Sequence, residues 1–516
     1  MSVQPRIQSL AQAFRQISGL TGVSRLLGFV RDVIFATFLG AGPAADAFLV
    51  ALKLPNMFRR LTAEGAMANA FVPAFTAVRQ EDGEPAAMAL AGEVQTTLVV
   101  ALCLVVGLAE IFMPAVISVI APGFADTPAR MEAAIALGRV TFPYLPLISL
   151  VAFWAAIANA SQRFLVAAAM PLIFNLCLIG GALVIPVATG WLAVEQAMPL
   201  AAALLGAGVL QLAVMAILLR RHRIMPAWRV PRFGAVAKAM WRQFSVASAG
   251  AVVMQVNLII DLVLASLLTV GAISWLYFAD RVAQLPLGIF GIALGTALLP
   301  RLSSQFRAGN IAAARASLAE AVLFAAFLVI PATVALVAIA PQIVGGLFRY
   351  GAFTANDAAA ASAALMAYAI GMPAHILVKI LQPAFYATAR PGFVLKVSIA
   401  TVITNLALSL SLMPVLGHVG LALATSISGM VAAGALMARL ARDGKMGFPA
   451  PMVIARIGGA TLVMLAVLLV ASTWLVSSFP GLPAAGLLAV LVVAGGGTYL
   501  AVAFVLHAVP KQLFRR

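Results

Sequence analysis

Between Ser24 and Glu64 the chain sets Arg25, Arg31, Asp32, Asp46, Lys53, Arg59, Arg60 and Glu64 among long apolar runs. A guanidinium is a planar fork that pairs bidentately with carboxylate or phosphate, so arginines converging in a low-dielectric place are suited to an anion such as pyrophosphate. Helical geometry would order them. Arg25 and Asp32 are seven apart and share a face two turns from each other, with Ser24 beside Arg25. Lys53, Asn56, Arg60 and Glu64 make a second polar stripe, and Arg59 lies beside Asn56. A third locus, SWLYFADRVAQLP, supplies Asp280 and Arg281. Two readings stay open for these groups: contact with an anionic ligand, or ion pairing and gating among Arg31, Asp32, Asp46, Asp280 and Glu64.

The elements that carry them belong to a membrane. The 516 residues are 63% hydrophobic and 9% charged, where soluble domains are about 25% charged. A charge at the bilayer centre costs roughly 2.5–3.5 kcal/mol, so such residues line cavities or pair with one another. Spans of about 20 apolar residues cross a bilayer and longer ones tilt. That rule gives fourteen helices, at 11–39, 44–78, 86–113, 129–161, 164–187, 194–220, 234–267, 271–306, 312–338, 355–388, 391–413, 418–441, 449–476 and 483–507. The opening MSVQPRIQSLAQAFRQISG has no cleavable signal pattern, so the first helix is expected to stay.

Charge asymmetry orients them. Arg220, Arg221, Arg223, Arg229, Arg232, Lys238 and Arg242 follow the sixth helix. Arg163, Arg301, Arg307, Arg315, Arg390, Arg442, Lys445, Lys511, Arg515 and Arg516 fall on the same side. The positive-inside rule then places both termini in the cytoplasm. A net charge of +17 is explained by this topology rather than by nucleic acid. On a rise of 1.5 Å per residue, Arg25 and Arg59 lie roughly 20 Å into their helices and Arg281 roughly 15 Å, so all three are expected near mid-depth.

A repeat runs through the chain at about 230 residues: Pro143 matches Pro373, Asn175 matches Asn405, and Pro73 resembles Pro300. Its unit has six helices, an even number, so the halves are related by a pseudo-two-fold along the membrane normal with the site between them. The expected organisation is a six-helix lobe over 1–220, a basic linker over 221–233, a second lobe over 234–445, and two further helices with a basic tail over 446–516.

SRLLGFVRD, ADAFLVALKLPNMFRRLTAEGA, APGFAD, YFADR and GIALGTALLP resemble the MurJ (MviN) family of lipid II flippases, over essentially the whole chain. The resemblance implies fourteen helices of the multidrug/oligosaccharidyl-lipid/polysaccharide exporter superfamily in the inner membrane. It implies flipping of undecaprenyl-pyrophosphate-linked peptidoglycan precursor for cell-wall synthesis by alternating access. It assigns Arg25, Arg31, Arg59 and Arg281, with Ser24 and Asn56, to a central cationic cavity, and function or gating to Asp46 and Glu64, with Asp32 in the same motif. The last two helices would border a groove for the lipid tail. Some members bind sodium at positions matching Asp261, Asn405 and Thr425; Ser409 stands where another acid is expected, and a hydrogen-bonded helix contact is an equal reading.

No cofactor is required on this reading, and coupling to membrane potential or Na+ is left open. The expected partners are lipid II and membrane lipids, with the chain a monomer that could meet cell-wall synthesis machinery. The alternatives are an exporter of another polyprenyl-linked oligosaccharide or of a drug, and an intramembrane polyprenyl-phosphate enzyme. A drug exporter for cations favours acidic cavities. An enzyme should show clustered metal acids and long catalytic loops. The four histidines are scattered, and HExxH, GxSxG and phosphate-loop patterns are missing.

Overall fold

A computed structural model describes residues 10–62, 66–161, 163–185, 196–232, 234–286, 292–479 and 481–510. Its helices are α1 (Leu10–Leu39), α2 (Pro43–Thr62), α3 (Ala66–Glu81), α4 (Glu84–Ile111), α5 (Met113–Ile120), α6 (Pro128–Thr141), α7 (Tyr144–Ala160), α8 (Phe164–Val184) and α9 (Met198–Arg221). They continue with α10 (Ala235–Ser266), α11 (Ala272–Pro286), α12 (Ile292–Arg307), α13 (Ile311–Ala338), α14 (Ala340–Phe348) and α15 (Ala355–Ala387). The last four are α16 (Pro391–Leu416), α17 (His418–Arg442), α18 (Pro451–Ser478) and α19 (Ala484–Val505). A short 3-10 turn covers Pro122–Asp126.

Ten helical stretches among the described residues, α6 and α7 together forming one of them, are long and apolar enough to cross a membrane. The fold is all-helical and polytopic. α1 and α2, of 30 and 20 residues, are not among the ten; their polar content, not their length, sets them apart.

The expected 86–113 and 312–338 helices each continue into a short extra helix after one non-helical residue, Phe112 or Ile339. The cause is the same in both. Pro114 and Pro341 have no N–H to offer the carbonyl four residues back, so the ladder resets. The expected 129–161 helix is likewise divided, into α6 and α7 around Phe142 and Pro143.

The repeat is visible in element lengths. Glu84 and Ile311, Met113 and Ala340, Pro128 and Ala355, and Phe164 and Pro391 are helix starts, each pair 227 residues apart. α4 and α13 both have 28 residues.

Compact units divide at Gly271. In the first, Met1–Gly271, α1 lies along α8, α8 along α9, α2 along α6, and α10 against α3 and α2. Its core is aromatic: Phe71 meets Phe153 at 4.6 Å and Phe75 at 5.3 Å. The polar bridge Trp154–Gln95 (2.9 Å) continues from Gln95 to the carbonyl of Pro226 at 3.2 Å, pinning the basic strap after α9 onto α4. A Cβ at Gly92 would collide with the Ala227 carbonyl, so the strap can approach only a glycine.

In the second unit, Ala272–Arg516, α15 packs against α17, α13, α11 and α12, and the last two helices cover α13 and α14. The Tyr499 hydroxyl donates to the Phe327 carbonyl. A capping box of Thr354 and Asp357 opens α15, and the Trp275 indole donates to Asp357 at 2.8 Å.

Candidate anion site

The first unit holds Ser24, Arg25, Arg31 and Asp32 on α1. Arg31 and Asp32 are buried, Ser24 is half-buried and Arg25 is exposed. Arg31 Nε and Nη2 donate to Asp32 Oδ1 at 3.0 and 2.7 Å, and Nη1 donates to Asn175 Oδ1 on α8 at 3.0 Å. The rings of Phe35 and Phe174 lie 5.5 and 5.6 Å from its guanidinium carbon. Burial of this pair is tolerable because the charge is matched and hydrogen-bonded.

On α2, Asn56 and Arg59 are half-buried and Lys53 is exposed. The Asn56 amide donates to the Leu52 carbonyl at 3.0 Å and its oxygen accepts from Arg59 Nε at 3.4 Å. Pro55 explains the local design. Lacking an N–H, it leaves the Ala51 carbonyl without its helical donor, and the buried Thr141 hydroxyl of α6 donates there at 3.1 Å. The turn that carries Asn56 and Arg59 is thereby fastened to α6. Glu64 lies outside the described residues.

Asp46 is fully buried at the start of α2. Its Oδ2 accepts from Arg130 Nη2 at 3.0 Å and from the Gly271 backbone N–H at 2.7 Å. Arg130, 2% exposed, has its guanidinium carbon 4.1 Å from the Phe124 ring centroid. Sequence reasoning missed Arg130, which lies between Asp126 and Glu132 at the start of α6. Those nearby acids offered it local partners, and no spacing along the chain pointed to Asp46.

In the second unit, Arg281 of α11 is half-buried with its guanidinium carbon 4.7 Å from the Tyr277 ring centroid, a cation–π distance. Asp280 accepts from the Gln284 amide.

The candidate sodium ligands fall in separate units. Asp261 of α10 accepts from Asn257 at 3.4 Å. Asn405 is buried on α16, and the Thr425 hydroxyl meets its oxygen at 3.5 Å and the Leu421 carbonyl at 3.1 Å. Among the described residues no group of three or more His, Cys, Asp or Glu could hold a metal ion.

Arg25 and Arg31 are carried on α1, Arg59 on α2 and Arg281 on α11. Comparison with known proteins gives the family. The family model described as lipid II flippase MurJ matches residues 35–493. A probable lipid II flippase MurJ of Rhizobium meliloti is 37% identical over 98% of this chain and 96% of its own length. The lipid II flippase MurJ of Burkholderia cenocepacia is 33% identical over 81% of each chain. Among solved structures, an inward closed conformation of lipid II flippase MurJ superposes with a TM-score of 0.81 at 24% identity, over 97% of this chain and 99% of its own. An inward-facing MATE-family multidrug transporter gives 0.67 at 16% identity, over 84% and 98%. The chain belongs to the MurJ family of lipid II flippases.

Proposed function

We propose that this transporter moves lipid II from the cytoplasmic to the periplasmic leaflet of the bacterial cytoplasmic membrane by alternating access. The residues proposed to meet the pyrophosphate are Arg25, Arg59 and Arg281, with Ser24 and Asn56 as neutral hydrogen-bond partners. The observation that carries this reading is the arginine content of α1, α2 and α11 in a chain of this family. The chain spans the bilayer fourteen times with both termini cytoplasmic, and α18 and α19 border the undecaprenyl tail. It works as a monomer among membrane lipids, within reach of the cell-wall synthesis machinery. Asp46 and Glu64 gate rather than bind. Membrane potential biases the cycle, since one charge moved across 100 mV is worth about 2.3 kcal/mol.

The test replaces Arg25, Arg59 and Arg281 singly with Ala in cells depleted of the endogenous flippase. Loss of growth with normal expression, and precursor accumulating in the inner leaflet, is the expected result. Full complementation by all three variants overturns the reading.

A further inference from the structure

Ser24, Gly28 and Arg31 stand at i, i+4 and i+7 and so share one face of α1. Asn175 of α8 lies against all three. Its Oδ1 accepts from Arg31 Nη1 at 3.0 Å, and its Nδ2 donates to the Ser24 carbonyl at 3.0 Å, with the Ser24 hydroxyl at 3.5 Å. Gly28 makes room between them: a Cβ there would already meet the Asn175 amide at 3.6–3.9 Å. One amide thus spans two turns of α1 and fastens them to α8.

Arg31 does not look like a free ligand for a moving substrate. Nε and Nη2 hold Asp32, Nη1 holds Asn175, and aromatic rings lie near the guanidinium. It is 7% exposed, whereas its neighbour two turns earlier, Arg25, is exposed. Arg25 and Arg31 of α1 occupy different faces and different surroundings.

We infer that Asn175 and Arg31 are positioning residues: they clamp α1 onto α8 at a fixed depth and rotation, and thereby present Arg25, which follows Ser24 directly, to the pyrophosphate. Arg31 acts through this clamp and does not contact the phosphate. The inference rests on Arg25 being a pyrophosphate ligand, and it departs from the resemblance, which places Arg31 in the cavity.

The test uses the purified full-length protein in detergent with farnesyl pyrophosphate as the probe, comparing wild type, Arg25→Ala, Arg31→Lys and Asn175→Asp with the doubles that add either clamp substitution to Arg25→Ala. Arg31→Lys keeps the positive charge but cannot hold Asp32 and Asn175 together as a fork does. Asn175→Asp keeps an acceptor for Arg31 and loses the donor to Ser24. Each single variant should weaken binding roughly tenfold, and the doubles should be no weaker than Arg25→Ala alone. Further weakening in the Arg25→Ala, Arg31→Lys double means that Arg31 binds independently, and overturns the inference.

A second measurement separates this from failure of the ligand reading. In a chain with Cys103 and Cys177 replaced by Ala, a cysteine placed by Arg25→Cys is labelled with a charged methanethiosulfonate. Asn175→Asp and Arg31→Lys should change the labelling rate at position 25 whether or not Arg25 binds pyrophosphate. An unchanged rate overturns the clamp. A changed rate with no effect of Arg25→Ala on binding keeps the clamp and removes Arg25 from the ligand set.

Discussion

Asp46 and Arg130 show what a buried charge demands of its surroundings. Both are almost wholly excluded from solvent, they are 84 residues apart in sequence, and the same carboxylate oxygen also takes the Gly271 N–H. Removing one partner of such a pair strands the other, which costs about 3–5 kcal/mol. Arg130→Ala is therefore expected to lower the melting temperature of the detergent-solubilised protein sharply, and Asp46→Ala with Arg130→Ala to lower it less than the arginine change alone. A single variant as stable as wild type would contradict the buried pair. The sequence showed Asp46 as an acid in costly surroundings but not its partner, because helical spacing relates residues along one element and says nothing of α6 lying on α2. Arg31 and Asp32, as chain neighbours, were legible as a pair; Asn175 was visible only as a repeated asparagine.

At the scale of elements, proline decides where helices reset and what must compensate. Pro114 and Pro341 end α4 and α13 at equivalent points, a break that hydrophobic periodicity alone passes over because the apolar pattern continues through it. Pro55 keeps its helix intact, and the carbonyl it orphans is answered by Thr141. Thr141→Val should cost about 1 kcal/mol. In a Pro55→Ala background, where residue 55 regains its N–H, the same change should cost measurably less. Equal costs in both backgrounds, read from thermal unfolding, would show that the hydroxyl serves something other than Ala51. Most helix ends were legible from apolar length: α13 was expected at 312–338 and runs Ile311–Ala338, with the Asn310 side chain capping its start.

At the scale of the whole molecule, the basic strap after α9 is a stitched segment rather than a loose tether. Gln95 holds the Pro226 carbonyl, Glu93 accepts from the Arg232 N–H at 3.3 Å, and Gly92 faces Ala227. Gly92→Val should dislodge it and speed tryptic cleavage after Arg229; unchanged cleavage would mean the stitch does not hold the strap. Orientation has its own check. A cysteine replacing exposed Asp126 should react with an impermeant maleimide in intact cells, and one replacing exposed Arg229 only after permeabilisation. The reverse pattern would invert the topology. The strap's charge was plain in the sequence; its anchoring was not, since Gln95 and Trp154 carry no periodic signal that names a loop as their partner. The four pairs of helix starts separated by 227 residues carry a last consequence. Between the starts of α4 and α8, and between those of α13 and α16, the two copies have equal length although the first contains four connections and the second three. Connections are ordinarily where chains gain and lose residues most easily. Through that stretch the two copies differ residue by residue while keeping the same length of chain, so each of the paired helix starts in one has its counterpart at a fixed offset in the other.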